Sequence, residues 1–225
     1  SNALNRCHPH TSTAPDERVC RVNSYTDQVT TYSQMLGNRF HLLIKPVSRY
    51  TDAAHMPRVC FFISKSLDPK KWTIQHHTKD LSTLTLHTGI GSIHIHNAYN
   101  PSPATGQPSV IRPLHNVLAE HPGQQHVVVG DFNLHHPLWA RPDYNHHHEE
   151  ADELVNLAAD HGLELLTPPG TITYDKHMGR RCHQTTVDLA WATTPVADRL
   201  VRCQAPGRPT VPAYPSGAAF TSKPT

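Results

Sequence analysis

The chain has 225 residues, with 20 Lys and Arg against 18 Asp and Glu, and a formal net charge of +2 when its histidines are neutral. That length suits one domain with a sizeable core, no apolar run approaches the roughly 18 residues that span a membrane, and so small a net charge neither demands nor excludes nucleic acid. Twenty histidines are unusual, and partial protonation near about pH 6.5 makes the chain markedly more basic.

Ser1-Asn2-Ala3 reads as the residue of a cleaved tag and lies outside fold reasoning. Residues 4–38 are polar, rich in Thr and Ser, and weakly periodic, so an irregular N-terminal segment is expected there. The folded domain is expected over residues 39–203. "FHLLIK" (Phe40–Lys45) and the stronger "RVCFFIS" (Arg58–Ser64) read as strands. "LSTLTLH" (Leu81–His87) alternates Leu with Ser and Thr, as a half-buried strand does, and "TGIG" turns the chain into "SIHIHNAY" (Ser92–Tyr99). Strands this close in sequence pair antiparallel. A helix is expected near Pro113, with Leu114, Val117 and Leu118 on one face.

"HVVVGDFNLHHPLWA" (His126–Ala140) follows: three valines read as a strand buried on both faces, and Asp131 and Asn133 stand just past its carboxyl end. In open α/β sheets that edge is where ligands bind. After a polar loop, Glu149 to His161 has helical spacing of Leu154, Leu157 and Ala158, acids in the first turn, and a stop at Gly162. "LELL", "TITY" and "TTVDLAWAT" (Thr185–Thr193) are later strands, and Pro195 starts a short helix through Val201. Residues 204–225, rich in Pro, Gly, Ser and Thr, read as a disordered or loosely draped tail. The five cysteines (Cys7, Cys20, Cys60, Cys182, Cys203) are scattered and odd in number, which favours reduced thiols and an intracellular setting, nuclear or cytoplasmic. The mix of meander strands and helices argues for packed sheets with helices outside.

"HNAYNPSP", "VVVGDFNLHHPLW", "LLTPPGTITY" and "TTVDLAWAT" occur in the order and approximate spacing of the endonuclease/exonuclease/phosphatase superfamily. The set most resembles the endonuclease domains of fungal LINE-type (non-LTR) retrotransposons. The resemblance covers roughly Val22 to Cys203 and implies a four-layer α/β sandwich, two packed mixed sheets flanked by helices. It also implies magnesium-dependent hydrolysis of a DNA phosphodiester. On that likeness Asp131 matches the base that positions and deprotonates the attacking water. Asn133 and Tyr99 match phosphate contacts, and Asp188 matches an aspartate whose family partner is a histidine near the end of the domain. The chemistry suits these residue types, because hydrolysis needs a base, an in-line water and positive charge at the phosphoryl oxygens.

The pattern departs from the family at both ends. The metal-binding glutamate falls by counting near Val19, with Asp16 and Glu17 nearby, and no Ser-Asp-His motif follows Asp188. The first strand and the last motif are therefore expected to be missing, magnesium binding weak or absent, and catalysis impaired. Loss of strand one also calls for compensation by the N-terminal segment, by self-association or by a partner chain. Lys176, Arg180 and Arg181, with His177, form a basic loop expected near the nucleic acid, or equally a solvated hairpin.

Plainer readings stand beside these. Asp131 and Asn133 can cap a turn, as Asx residues often do. Asp188 is a costly buried charge unless partnered. His135 and His136 are adjacent and precede Pro137, which favours a structural loop with Trp139 packed beneath it over a zinc site. His146–His148 are expected in solvent. Alternatives from other classes are a non-catalytic remnant that binds nucleic acid or a protein, a His-rich metal-binding module, and hydrolysis of a small phosphoester.

Overall fold

In a computed structural model of the chain, residues 21–22, 29–30, 38–48, 51–52, 55–178, 181–204 and 219–222 are described. Two small hairpins come first: β1 (Arg21–Val22) pairs with β2 (Val29–Thr30), and β3 (Phe40–Ile44) with β4 (Cys60–Ser64). β5 (Trp72–His76), β6 (Leu81–Thr88) and β7 (Gly91–Tyr99) form an antiparallel meander. Helix α1 (Ile111–Ala119) returns the chain so that β8 (Gln125–Asp131) runs parallel to β7. Helix α2 (Glu149–Asp160) leads into β9 (Leu163–Leu165), and β10 (Tyr174–Met178) and β11 (Arg181–Thr185) make a hairpin. β12 (Asp188–Thr193) then inserts between β8 and β9, antiparallel to both. A single helical turn, α3 (Thr194–Ala197), precedes β13 (Leu200–Gln204), which pairs with β14 (Ala219–Ser222). The central mixed sheet has the order β5-β6-β7-β8-β12-β9.

Strand alternation divides the sheet into two faces. Leu81, Ala98, Val128, Leu189 and Trp191 share one apolar cluster with Ile111, Leu114 and Leu118 of α1 and Leu154, Leu157 and Ala158 of α2. Each such leucine, fully covered, contributes about 1.5–3 kcal/mol through removal from water. Trp139 lies fully buried in this cluster, its indole N–H donating to Leu134 O at 3.1 Å and its ring edge-on to Trp191. The packing of Trp139 beneath the "HHPLW" loop is as the sequence implies. On the opposite face Asn97 donates to Cys60 O of β4, which brings the β3–β4 hairpin against the sheet.

The helix-covered face also holds a line of buried histidines. His126 Nε2 lies 3.0 Å from His121 O, His96 Nε2 lies 3.0 Å from His126 Nδ1, and Thr83 Oγ1 lies 2.9 Å from His96 Nδ1. A carbonyl only accepts, so His126 must carry its proton on Nε2 and accept on Nδ1. His96 then donates from Nε2 and accepts the Thr83 hydroxyl. One set of neutral tautomers satisfies the line. Burial pushes the His96 imidazole well below its ordinary range, and the facing His126 adds to the effect.

The mixed α/β class matches the sequence expectation, and several details differ. "WTIQH" forms β5, an edge strand whose short alternation is too weak to stand out in sequence. The segment from Thr185 to Thr193 is two strands, because the Val187 and Asp188 amides both turn to the Thr173 hydroxyl instead of continuing the ladder. "TITY" becomes strand only at Tyr174, and the helix at Pro195 ends at Ala197, after which Leu200–Gln204 is strand. Within the expected irregular ends, Arg21–Val22, Val29–Thr30 and Ala219–Ser222 are strand. Asp16, Glu17 and Val19 lie outside the described residues, as do the positions on which the expected loss of the first strand rests. No described helix is long and apolar enough to cross a membrane.

Candidate active site

Three adjacent strands end at one level. In register, Tyr99 of β7 stands beside Asp131 of β8, and Asp131 stands opposite Asp188 of β12. Residues paired directly across an antiparallel ladder have Cβ atoms roughly 4.5–5.5 Å apart. Tyr99, Asp131, Asn133 and Asp188, far apart in sequence, thus meet at one rim.

Gly130 makes that rim close. A Cβ there would lie 1.8 Å from Ala98 O, so only glycine lets β7 and β8 approach as they do. This is why the valine run breaks before the aspartate. Past the strand, Asn133 takes the left-handed backbone region at φ 51°, which Asn tolerates better than most residues. Its amide donates to Asp131 Oδ1 at 3.1 Å, an Asx-type turn, and its side chain donates to Asn100 O at 2.9 Å. Asp131 therefore does cap its own turn, while one carboxylate oxygen remains for other partners.

The two acids hold each other's chemistry. Burial, and then the neighbouring Asp188 charge, push the Asp131 carboxyl up to about 6, against a smaller downward pull from the Asn133 amide. Burial also raises Asp188, partly offset by the Thr173 hydroxyl. A carboxyl near 6 is mostly ionised at neutrality yet holds a proton better than an ordinary aspartate, which suits a general base. Among the described residues no cation contributes to either shift.

Two further groups belong to the rim. Arg58 lies over the Tyr99 ring, its guanidinium 4.4 Å from the ring centre, and it forks onto the buried Asp80. Asn100 is fully buried: its carbonyl oxygen accepts from Val110 N at 2.9 Å and Ser109 Oγ at 3.1 Å, and its amide donates to Glu150 Oε1 at 2.8 Å. It thereby ties the Asn133 turn to the start of α1 and to α2. Asn100 was within reach of sequence reading, since it follows Tyr99 in "HNAYNPSP"; nothing in the spacing of Arg58 and Asp80 marks them.

Lys176 is exposed on β10 and Arg181 lies on β11, so they belong to hairpin strands and not to the loop the sequence suggested; Arg180 lies outside the described residues. Beside Asn133 opens a cavity of about 360 Å³ lined by Ser102, His135, Tyr144, His146, His148, Tyr174 and His183, among others. Tyr144 Oη and Thr185 Oγ1 are buried there without a hydrogen-bond partner among the described residues. His148, expected in solvent, is half-buried as a wall of this cavity.

The endonuclease-reverse transcriptase family model matches residues 93–210, more than half of the chain and the span that holds Tyr99, Asp131, Asn133 and Asp188. The chain belongs to the endonuclease-reverse transcriptase family. No curated protein matches it in sequence. Among solved structures it is similar to the endonuclease domain of TRAS1, a telomere-specific non-LTR retrotransposon, with TM-score 0.56 and 16% identity over 70% of this chain and 71% of that one. It is also similar to an AP endonuclease from Archaeoglobus fulgidus (TM-score 0.55, 18% identity, 82% of this chain and 80% of that one) and to AP endonuclease LMAP from Leishmania major (TM-score 0.58, 12% identity, 83% and 72%). At such identities these likenesses establish the shared fold alone.

Proposed function

We propose that this chain is a retrotransposon-type endonuclease domain that engages a DNA phosphodiester at the Asp131 rim and hydrolyses it poorly. The observation that carries the reading is the level placement of Tyr99, Asp131 and Asp188 on three adjacent strands, with Asp131 pushed up to about 6. A phosphate resting on the second N–H of the Asn133 side chain and on the Tyr99 hydroxyl leaves Asp131 to take the proton of an attacking water. Asp188 acts through Asp131, keeping its proton affinity high. The adjoining cavity, with its imidazole and phenol walls, suits a nucleotide on one side of that phosphate.

A magnesium ion, when bound, supplies positive charge at the phosphoryl oxygens. Asp131 and Asp188 are oxygen donors of the right kind, and among the described residues no cation contributes to the shift of either carboxyl. They form a small ligand set, and Asp131 is also needed as the base, so weak binding follows. Arg58, the cation nearest Tyr99, is already engaged by Asp80. A site short of positive charge loses transition-state stabilisation, where one missing donor costs roughly 100- to 1000-fold.

The test is nicking of supercoiled plasmid with and without magnesium, comparing the chain with Asp131→Asn. Trace, magnesium-dependent nicking that disappears in the variant supports the reading. Robust nicking abolished by Asp131→Asn removes the impairment and keeps the site. DNA binding with no cleavage favours a non-catalytic remnant, and activity that survives Asp131→Asn places hydrolysis elsewhere.

A further inference from the structure

The two histidine runs of the loop after Asn133 divide by face. His135, His146 and His148 line the cavity, whereas His136 and His147 turn the other way, toward Asp152 in the first turn of α2. His147 Nε2 lies 3.0 Å and His136 Nε2 3.3 Å from the same Asp152 oxygen, and the ligand atoms of all three residues lie within 4.8 Å of one another. In a tetrahedral zinc site, ligands about 2.0–2.1 Å from the metal stand roughly 3.3 Å apart. Side-chain rotation alone covers the difference, because His147 and Asp152 are exposed.

We propose that His136, His147 and Asp152 bind one zinc-class divalent ion that latches the Leu134–His148 loop to α2. Two imidazoles and a carboxylate form a set that favours transition metals over magnesium, which prefers oxygen donors. The fourth position falls to water. The ring of His136 is oriented by a hydrogen bond from the Leu138 amide to its Nδ1 at 3.0 Å. In the metal-free chain the ring proton is therefore on Nε2, facing Asp152. Metal at Nε2 moves that proton to Nδ1, and the amide of Leu138, an exposed residue, turns to water. The imidazole stays neutral, and the two hydrogen bonds given up, from the Leu138 amide to Nδ1 and from Nε2–H to Asp152, are exchanged for metal bonds at Nε2 and at the Asp152 oxygen.

The consequence reaches the cavity through the chain itself. His135 and His148 adjoin the proposed ligands, and His135 N donates to His148 Nδ1 at 3.2 Å, so fixing one face of the loop fixes the other. The ion is thus a positioning device for the cavity wall, separate from any ion at Asp131.

The experiment titrates the chelator-stripped full chain with zinc under competition from a colorimetric chelator, and with cobalt as a spectroscopic substitute. The buried Trp139, whose ring lies 5.0 Å from that of His136, supplies a second readout, since cobalt at the site quenches its fluorescence. The expected result is one equivalent bound, weakened at least roughly tenfold by His147→Gln and by Asp152→Asn, and unchanged by His146→Gln. Circular dichroism should show both ligand variants folded, because neither residue packs in the core. Absence of a single chelator-resistant equivalent overturns the proposal, as does binding that all three variants retain, which marks an adventitious ion only. Loss of binding in His146→Gln instead moves the metal to the cavity side and equally overturns it.

Discussion

The chain buries ionisable groups on both faces of its central sheet, and it treats them in opposite ways. On the helix-covered face, His96 and His126 are neutral, and each ring nitrogen of the pair has a partner. At the rim, Asp131 and Asp188 are set side by side: burial raises both carboxyls, and the Asp188 charge makes the Asp131 charge still harder to hold. The first arrangement is what a stable core requires of buried polar atoms. The second opposes ionisation at neutral pH, an arrangement that clusters at functional sites. The contrast separates structural burial from chemical burial without reference to any relative.

Breaking the rim's frame has the largest effect. Gly130→Ala forces β7 and β8 apart against a backbone carbonyl, and it should cost about 3 kcal/mol or more, read as the shift in a urea unfolding midpoint. A loss below about 1 kcal/mol would mean that the strands are not held so closely. His96→Leu comes next. It strands the His126 acceptor and leaves the Thr83 hydroxyl with His77 alone, at about 1–3 kcal/mol.

The same variant sharpens the comparison by pH. The folded-state values of His96 and His126 lie below the ordinary histidine range, so their share of stability is present above about pH 6.5 and is lost as pH falls below it. Asp131 has the opposite sign. Its folded value is raised, so its share is present below the ordinary aspartate range and is lost as pH rises through about 6. Between pH 7.5 and 5, two arbitrary but convenient assay points, His96→Leu should flatten the acid loss of stability and Asp131→Asn should steepen it. The smallest effect is a gain: Asp131→Asn should stabilise the chain near neutrality by on the order of 1–2 kcal/mol after allowance for solvent screening. Thermal melts at the two pH values read both slopes, and a destabilised Asp131→Asn would show its Asx-turn role outweighing its charge.

Much of this was legible in the residues, for local reasons. Valines before Gly130, alternation from Leu81 and the helical spacing after Glu149 each write their element into a short window. The grouping of Tyr99, Asp131, Asn133 and Asp188 was visible through the resemblance of the ordered motifs to the endonuclease/exonuclease/phosphatase superfamily, and the strand register then brings the four to one rim. Arg58 and Asp80 were not visible, because their pairing depends on how the β3–β4 hairpin meets β6. The histidine runs misled in part: sequence treats "HH" and "HHH" as tracts, but backbone alternation sends neighbours to opposite faces. The break between Thr185 and Asp188 hides because the Thr173 hydroxyl that replaces the ladder comes from the segment just before β10, distant in sequence.

The most direct test of the rim as a site of proton transfer is a carboxyl-carbon NMR titration of Asp131 in the intact chain and in Asp188→Asn. With two carboxyls this close, the measured steps belong to the pair. The account predicts that Asp131 titrates near about 6 and moves down when the Asp188 charge is removed. Titration of Asp131 in the ordinary aspartate range, unmoved by Asp188→Asn, would contradict it.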